Sequence, residues 1–406
     1  MTRCRANPAA FSARALLVGL LALMLQIVAW PAVADDDESA FSLRGFGTLG
    51  AVRTTSKEAR FVRDLTQPTG ATTRWDGRVD SLLGLQASWQ VNPALEVVAQ
   101  AISRYRYDQT YTPEVSWAFV KYDPNPSLTL RAGRLGTEFF MMADSRMVGY
   151  SYLPVRPPGD FFWYLPFLSI DGGDVALTLP VGEDVLRGKL FYGISDANIP
   201  WGDKQWKIDG SAMAGGYLDY QSGPWLFRIS YANIRFKQDM PIGDVLRAYL
   251  PAAQAEQAAN HLAAANTRSH YYSIGVVYDR GPWQFQLMLN DIKQGSQLFE
   301  SSTGGYVLAG YRIGSVTPYL GYSRIFSDRR GDTLGSPVVA RIMADAHAEQ
   351  YTTIVGARWD VARNIALKAQ WDGIRGKPSS IFPFRLETEA WDGKMDVFTV
   401  TMDFIF

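Results

Sequence analysis

From residue 41 onward the chain repeats one pattern: about ten residues in which apolar and polar side chains alternate, then a break rich in turn formers. Such stretches lie near 41–54, 79–91, 94–106, 113–123, 127–135, 171–181, 185–195, 210–221, 224–237, 269–279, 282–293, 303–313, 315–327, 348–361, 363–374 and 393–406. A period of two belongs to a β-strand with one greasy face. The breaks alternate in length. Asn92-Pro93, Asp123-Pro124-Asn125-Pro126, Gly182-Glu183-Asp184, Ser222-Gly223, Arg280-Gly281, Gly314 and Ala362 mark compact turns, and between them lie much longer connections.

The last stretch shows how such a set of strands ends. Residues 399–406 read T-V-T-M-D-F-I-F, and one face of the strand carries Phe398, Val400, Met402, Phe404 and Phe406. Free chain ends fray, so an apolar terminus must be built into a sheet. Lipid cannot satisfy backbone N–H and C=O groups, so a sheet inside it has to close on itself. Short turns on one side, long loops on the other and an even strand number predict an all-β fold. Its form is a 16-stranded antiparallel transmembrane β-barrel with short periplasmic turns and long extracellular loops. Phe404 and Phe406 then sit on the lipid side of the closing strand. The period places Tyr351, Val355, Trp359, Leu367 and Trp371 outward, and Arg358, Asp360, Lys368, Gln370 and Asp372 inward. Trp225 and Trp283, each just after a short turn, fall where an interfacial aromatic belt is expected. A soluble sandwich is the bland alternative, but sixteen regular strands exceed an ordinary soluble sheet. A barrel of this size leaves an aqueous channel.

The other end of the chain supports export. Arg3, Arg5 and Arg14 precede an apolar run over 15–30, and Ala32-Val33-Ala34 precedes Asp35. This is the three-part pattern of a secretory signal peptide over 1–34, leaving 35–406 as the barrel. The single cysteine, Cys4, lies within that signal, so the exported part has no disulfide framework. Without the three arginines the chain has slightly more acidic than basic residues, which gives no support to nucleic-acid binding.

The opening strand L-R-G-F-G-T-L-G-A-V (43–52), the L-R-A-G-R segment (130–134) and the terminal F-I-F carry a resemblance. Together with the ordered strand count, they make the chain similar to the Gram-negative outer-membrane porins, in a less characterised branch. The resemblance implies a homotrimer in outer-membrane lipid that passes small hydrophilic solutes and ions by passive diffusion, with no catalysis, cofactor or metal. It also implies that the third long loop, read here as 137–174, folds into the lumen as a constriction.

That loop departs from the acidic loop of well-known relatives. It contains Glu138, Asp144, Asp160, Asp171 and Asp174, the bases Arg146 and Arg156, and many aromatic residues and prolines. So apolar a segment is unlike a solvated excursion. It is expected to pack on the inner wall, stiffened by Pro154, Pro157 and Pro158; a neighbouring subunit or lipid headgroups are the other places for its aromatic half. Opposite it the family places basic side chains, for which Arg44, Arg104, Arg106, Arg131 and Arg134 are the candidates. Arg131 and Arg134 have opposite parity, so both face inward only if the strand ends or bulges between them. Fixed opposed charges would set a transverse field and a modest ion preference.

Alternatives remain. Phe161, Phe162, Trp163 and Tyr164 would form a stacking surface if the channel is specific for sugars or aromatic acids. A barrel phospholipase would need an outer-face serine–histidine pair, and none is legible around His261, His270 or His347. An adhesin-type barrel would act through its long loops. Gly45-x-Gly47-x-x-Gly50 fits a dinucleotide-binding pattern but lacks the following helix, and its glycines fit close strand packing instead. Arg330-Gly331-Asp332 reads as ordinary turn composition. Residues 241–266 predict a loop helix broken at Pro251.

Overall fold

Alternation along the chain becomes sixteen strands in the computed structural model, which describes residues 40–406 apart from 164, 202–203, 332–333, 345, 381–383 and 386. The signal peptide read over 1–34 lies outside the described residues. The strands are β1 (Phe41–Thr54), β2 (Leu82–Asn92), β3 (Leu95–Arg104), β4 (Glu114–Asn125), β5 (Leu128–Gly136), β6 (Ser169–Val181), β7 (Asp184–Ser195) and β8 (Ala212–Ser222). They continue as β9 (Trp225–Arg235), β10 (Arg268–Arg280), β11 (Trp283–Gln294), β12 (Ser302–Tyr311), β13 (Val316–Ser327), β14 (Glu349–Ala362), β15 (Ile365–Gly376) and β16 (Lys394–Ile405). Each pairs antiparallel with its chain neighbours, and β1 pairs with β16 to close the barrel.

The closing seam explains the glycines of the first strand. Gly47 stands opposite Phe404, and the Gly45 N–H donates to the Phe406 carbonyl at 2.7 Å, with Phe406 N–H donating back at 2.9 Å. A Cβ on Gly45 would come within 2.2 Å of the Phe406 ring, and one on Gly47 within 2.4 Å of the Phe404 ring. The two terminal rings lie across bare backbone, which lets the last strand seat flush against the first. No helix follows these glycines.

Side chains divide by parity between two surfaces. Leu85, Trp89, Leu190, Tyr192, Ile229, Ile274, Leu320, Val355, Trp359 and Val400 are exposed on the outside. So continuous an apolar exterior suits hydrocarbon rather than water. Trp225 and Trp283 are also exposed, packed on Tyr278 and Tyr311 respectively. At the short-turn end Gly182, Gly223, Gly281 and Gly314 take φ between 51° and 65°, the left-handed region that glycine enters without strain.

At the opposite end the loops form structure of their own. Helices α1 (Gly243–Tyr249) and α2 (Ala252–His261) are separated at Pro251, as the sequence predicts, and α3 (Pro337–Ala344) follows later. Leu246, Ala258, Leu262, Leu298, Val339 and Met343 bury one another there. Val339 and Met343, one turn apart on α3, both face this cluster.

A large apolar core lies inside the lumen. Trp163, Tyr152, Phe139, Phe140, Phe161, Phe167 and Leu165 are among the barrel's largest fully buried side chains, and all belong to the third loop. That loop runs over 137–168, shorter than the 137–174 read from sequence. Residues 169–174 are the start of β6, where acids on a strand resemble loop composition.

Candidate functional site: the third loop and the charged wall

The third loop is first tied to itself. Thr137 Oγ1 donates to the Phe167 carbonyl at 3.1 Å, joining the loop's two ends. The buried Arg146 guanidinium donates to the carbonyls of Ala143 (2.7 Å), Leu165 (3.1 Å) and Phe167. Burial pushes the Arg146 pKa down to about 10, which leaves it charged near neutrality. Tyr152 Oη donates to the Met142 carbonyl at 2.6 Å. These side chains satisfy backbone carbonyls that a loop removed from water would otherwise leave unpaired.

The loop then meets strands on every side of the lumen. Met147 and Val148 pack with Phe46 of β1, Leu82 of β2 and Ile102 of β3. The Phe139 ring lies 5.9 Å from Phe191 of β7 and 5.1 Å from Tyr271 of β10, and its carbonyl accepts from Ser230 of β9 at 3.0 Å. Phe161 meets Tyr306 of β12 edge-on at 5.4 Å, and its carbonyl accepts from Asn290 of β11 at 3.3 Å. Asp160 accepts from Ser323 of β13 at 2.6 Å and from Gln350 of β14. Burial nevertheless raises the Asp160 pKa, against the lowering effect of those donors.

Cations on β14 and β15 hold the loop's middle through its backbone. Arg358 donates to the carbonyls of Tyr150 (2.7 Å) and Tyr152 (3.1 Å). Lys368 Nζ donates to those of Gly149 (2.8 Å), Tyr152 (2.7 Å) and Pro154 (3.0 Å), and pairs with Asp403 of β16 at 3.0 Å. Asp403 also accepts from Thr48 of β1 at 2.5 Å. A Cβ on Gly149 would fall 2.2 Å from the Asp403 carboxylate, so the loop passes there only because residue 149 has no side chain. Arg156 reaches Thr399 (2.6 Å), Asp372 (3.2 Å) and Asp80, the last at the end of the first long loop.

The charges expected from sequence are distributed differently from an acidic loop facing a basic wall. Arg131 pairs with Asp174 and, at 3.1 Å, with Glu138; Lys189 of β7 reaches Glu138 at 2.5 Å and Asp174 at 3.6 Å. Burial would raise the Glu138 pKa, but Lys189, with Arg131 and Arg228, outweighs it and holds the group at about 2. Arg228 pairs with Asp219 at 2.6 Å and lies 3.6 Å over the Tyr217 ring. Asp144 is half-buried beside this cluster, and burial followed by the Glu138 charge raises its pKa. Cations and anions are interleaved in this cluster.

Four of the proposed wall arginines stand apart from the loop. Arg104 pairs with Asp64 (3.1 Å) and Glu114 (3.2 Å) and so fastens the first long loop to β4, while Arg106 pairs with Glu114 at 2.7 Å. Arg134 lies opposite Ala118 and pairs with Asp171 (2.7 Å) and Asp196 (3.0 Å), away from the Arg131 cluster. Arg44, opposite Gln86, is exposed on the short-turn side of the third loop.

The aromatic run needs correcting. Phe161, Phe162 and Trp163 are 1%, 5% and 1% exposed, so none offers a free face for stacking along the lumen. Their apolar area fills the lumen instead of lining it. Tyr164 lies outside the described residues. Sequence reasoning also missed a serine–histidine contact. His347 Nδ1 lies 3.1 Å from Ser327 Oγ and 2.7 Å from Glu300, with Glu349 at 3.3 Å from Nε2. This group is buried among the loop bases, and Ser327 already donates to Glu300 (2.5 Å) and accepts from the Ala348 N–H (2.9 Å). Nothing in the spacing of residues 300, 327 and 347 announces it.

No family model matches the chain, and no curated protein sequence does. Solved structures match in fold. The chain is similar to Salmonella typhi OmpF in complex with daunomycin, with 13% identity, 90% of this chain and 97% of that one covered, and a TM-score of 0.56. It is similar to outer-membrane expressed OmpT of Vibrio cholerae, with 11% identity, 91% and 99% covered and a TM-score of 0.54. It is also similar to the outer membrane channel DcaP of Acinetobacter baumannii, with 13% identity, 90% and 97% covered and a TM-score of 0.50.

Proposed function

We propose, starting from a chain that is porin-like in its closed sixteen-stranded fold, that it forms an outer-membrane channel for small hydrophilic solutes and ions whose passage the third loop restricts. The carrying observation is the loop's contact with strands on all sides of the lumen through a buried aromatic core. A sixteen-stranded barrel has room for an aqueous path. Here that room holds phenylalanines, and a hydrophobic constriction excludes water and ions until it widens. A narrow or gated channel therefore fits better than a wide diffusion pore. The reading assigns no catalysis and no cofactor.

Interleaved charge pairs also bear on selectivity. Arg131, Lys189 and Arg228 stand among Glu138, Asp174 and Asp219, so little net field crosses the lumen there. Ion preference should accordingly be weak in either direction.

Planar-bilayer recording tests the role. Wild-type barrel should give small or infrequent steps, and a variant in which a short flexible linker replaces residues 150–165 should give large ohmic ones. Equal large steps from both would mean that the loop does not limit flow. Absence of conductance from the folded deletion variant would remove the channel role itself. Steps grouped in threes would support the homotrimer that the porin resemblance implies, and isolated single steps would count against it.

A further inference from the structure

Above the third loop, at the long-loop end of the barrel, a partly open cavity of about 140 Å³ lies between several loops. Trp163 and Phe167 of the third loop line it on one side. A two-stranded hairpin, Asn198–Trp201 with Lys204–Lys207, supplies Trp206, and the other walls include Phe236, Phe299 and Ile342. Trp206 stacks on Phe299 at 5.4 Å and lies 5.3 Å from Phe236, so the rings form a pre-packed wall. These walls lie apart from the Arg131–Glu138–Lys189 cluster, and Glu300 of the Ser327–His347 group is also in the lining.

We propose that this cavity binds an uncharged, single-ring aromatic molecule. Its volume decides the size: an apolar protein cavity of about 150 Å³ stays dry and accommodates benzene. Its walls decide the class, because rings on several sides offer edge and face contacts to another ring. The polar groups decide the charge. Glu300 is the carboxylate at the cavity, and its oxygens already accept from the Arg330 N–H (3.2 Å), Ser327 (2.5 Å) and His347 (2.7 Å). The Gln294 side-chain oxygen accepts from Ser269. No lysine, arginine or histidine is among the described residues lining the cavity. An anionic ring would be buried beside Glu300 without a cation, which is costly. A neutral ring meets no such cost.

The inference deepens the channel reading by naming a solute class at its mouth, and it rests on that reading for its meaning in transport. Its test is independent of conductance. Fluorobenzene is titrated into refolded barrel in detergent and followed by fluorine NMR, with protein-free micelles as the blank and 4-fluorobenzoate as the charged control. Ala346→Phe and Leu298→Trp each place new bulk in the cavity, and the unheated gel band shows whether each has folded. The expected result is saturable binding of fluorobenzene to wild type, weakened about tenfold or more in whichever filled variant folds, with 4-fluorobenzoate not competing. Signal no greater than the micelle blank, unchanged binding in a folded filled variant, or equal binding of the benzoate would each overturn the proposal. If neither filled variant folds, the comparison of fluorobenzene with 4-fluorobenzoate on wild type decides.

Discussion

Lys368→Met should release the third loop, raising conductance while lowering the stability of the barrel. Lys368 is 3% exposed and serves four acceptors: three loop carbonyls and Asp403. Methionine matches its stem but donates nothing. The Pro154 carbonyl loses its donor, those of Gly149 and Tyr152 keep only the Tyr152 N–H and Arg358, and Asp403 keeps its contacts to Thr48 and Thr401. Breaking a buried ion pair by removing one partner costs about 3–5 kcal/mol, chiefly because the other charge is left uncompensated. A second substitution separates the two effects. Adding Asp403→Asn removes the stranded charge, so it should restore much of the stability without returning a donor to the loop. Conductance should stay high in the double variant, while the sample temperature at which the folded gel band is lost recovers. A Lys368→Met barrel with wild-type conductance would show that the loop stays in place without Lys368.

Ending the chain at Thr401 should abolish folding into the heat-sensitive barrel band. Residues 402–405 pair with Leu49, Thr48, Gly47 and Phe46 on β1, and with Leu367, Ala366 and Ile365 on β15. Their loss opens the seam at the short-turn end and leaves backbone N–H and C=O groups facing lipid. Each such group costs several kcal/mol in hydrocarbon, so a few of them exceed the 5–15 kcal/mol stability of an ordinary domain. Phe406→Ala is the mild control. It uncovers Gly45 but keeps the backbone bonds, and should still give a folded band. A folded band from the truncated chain would mean that the barrel closes without its last residues.

How far these features could be read in advance depended on the range of the signal. All sixteen strands follow the segments expected from alternation, with ends that differ by at most three residues. The reason is local: a strand between lipid and lumen shows its two faces in its own ten residues. The role of Gly45 and Gly47 was half legible, since close packing could be read but the Phe404 and Phe406 rings lie more than 350 positions away. Arg358, Lys368 and Asp372 were correctly inward by parity, whereas their partners Tyr150, Gly149 and Arg156 come from a loop with no period. Asp403 carried a signal, being a carboxylate in an apolar terminal strand. The aromatic run 161–163 was noticed for its chemistry and misjudged in its exposure, because composition cannot tell a surface that lines a lumen from one that fills it. Arg104 and Arg134 were sound candidates by residue type. Their partners, Asp64 and Asp196, sit in loops whose approach only the folded chain brings about.

The central claim is that the third loop closes the lumen, and thiol accessibility tests it most directly. Cys4 is the one cysteine of the sequence, so Ser88→Cys in a Cys4→Ser background provides a single reporter. Ser88 is half-buried, shares a face of β2 with Gln86, and lies on the short-turn side of Leu82, where the loop packs. A charged, membrane-impermeant thiol reagent is added to intact cells from outside, and labelling is timed with the loop whole and with 150–165 replaced. Slow labelling of the whole barrel and fast labelling of the shortened one is the expected result. Equally fast labelling of both would contradict it, and would mean that an open path runs past the loop.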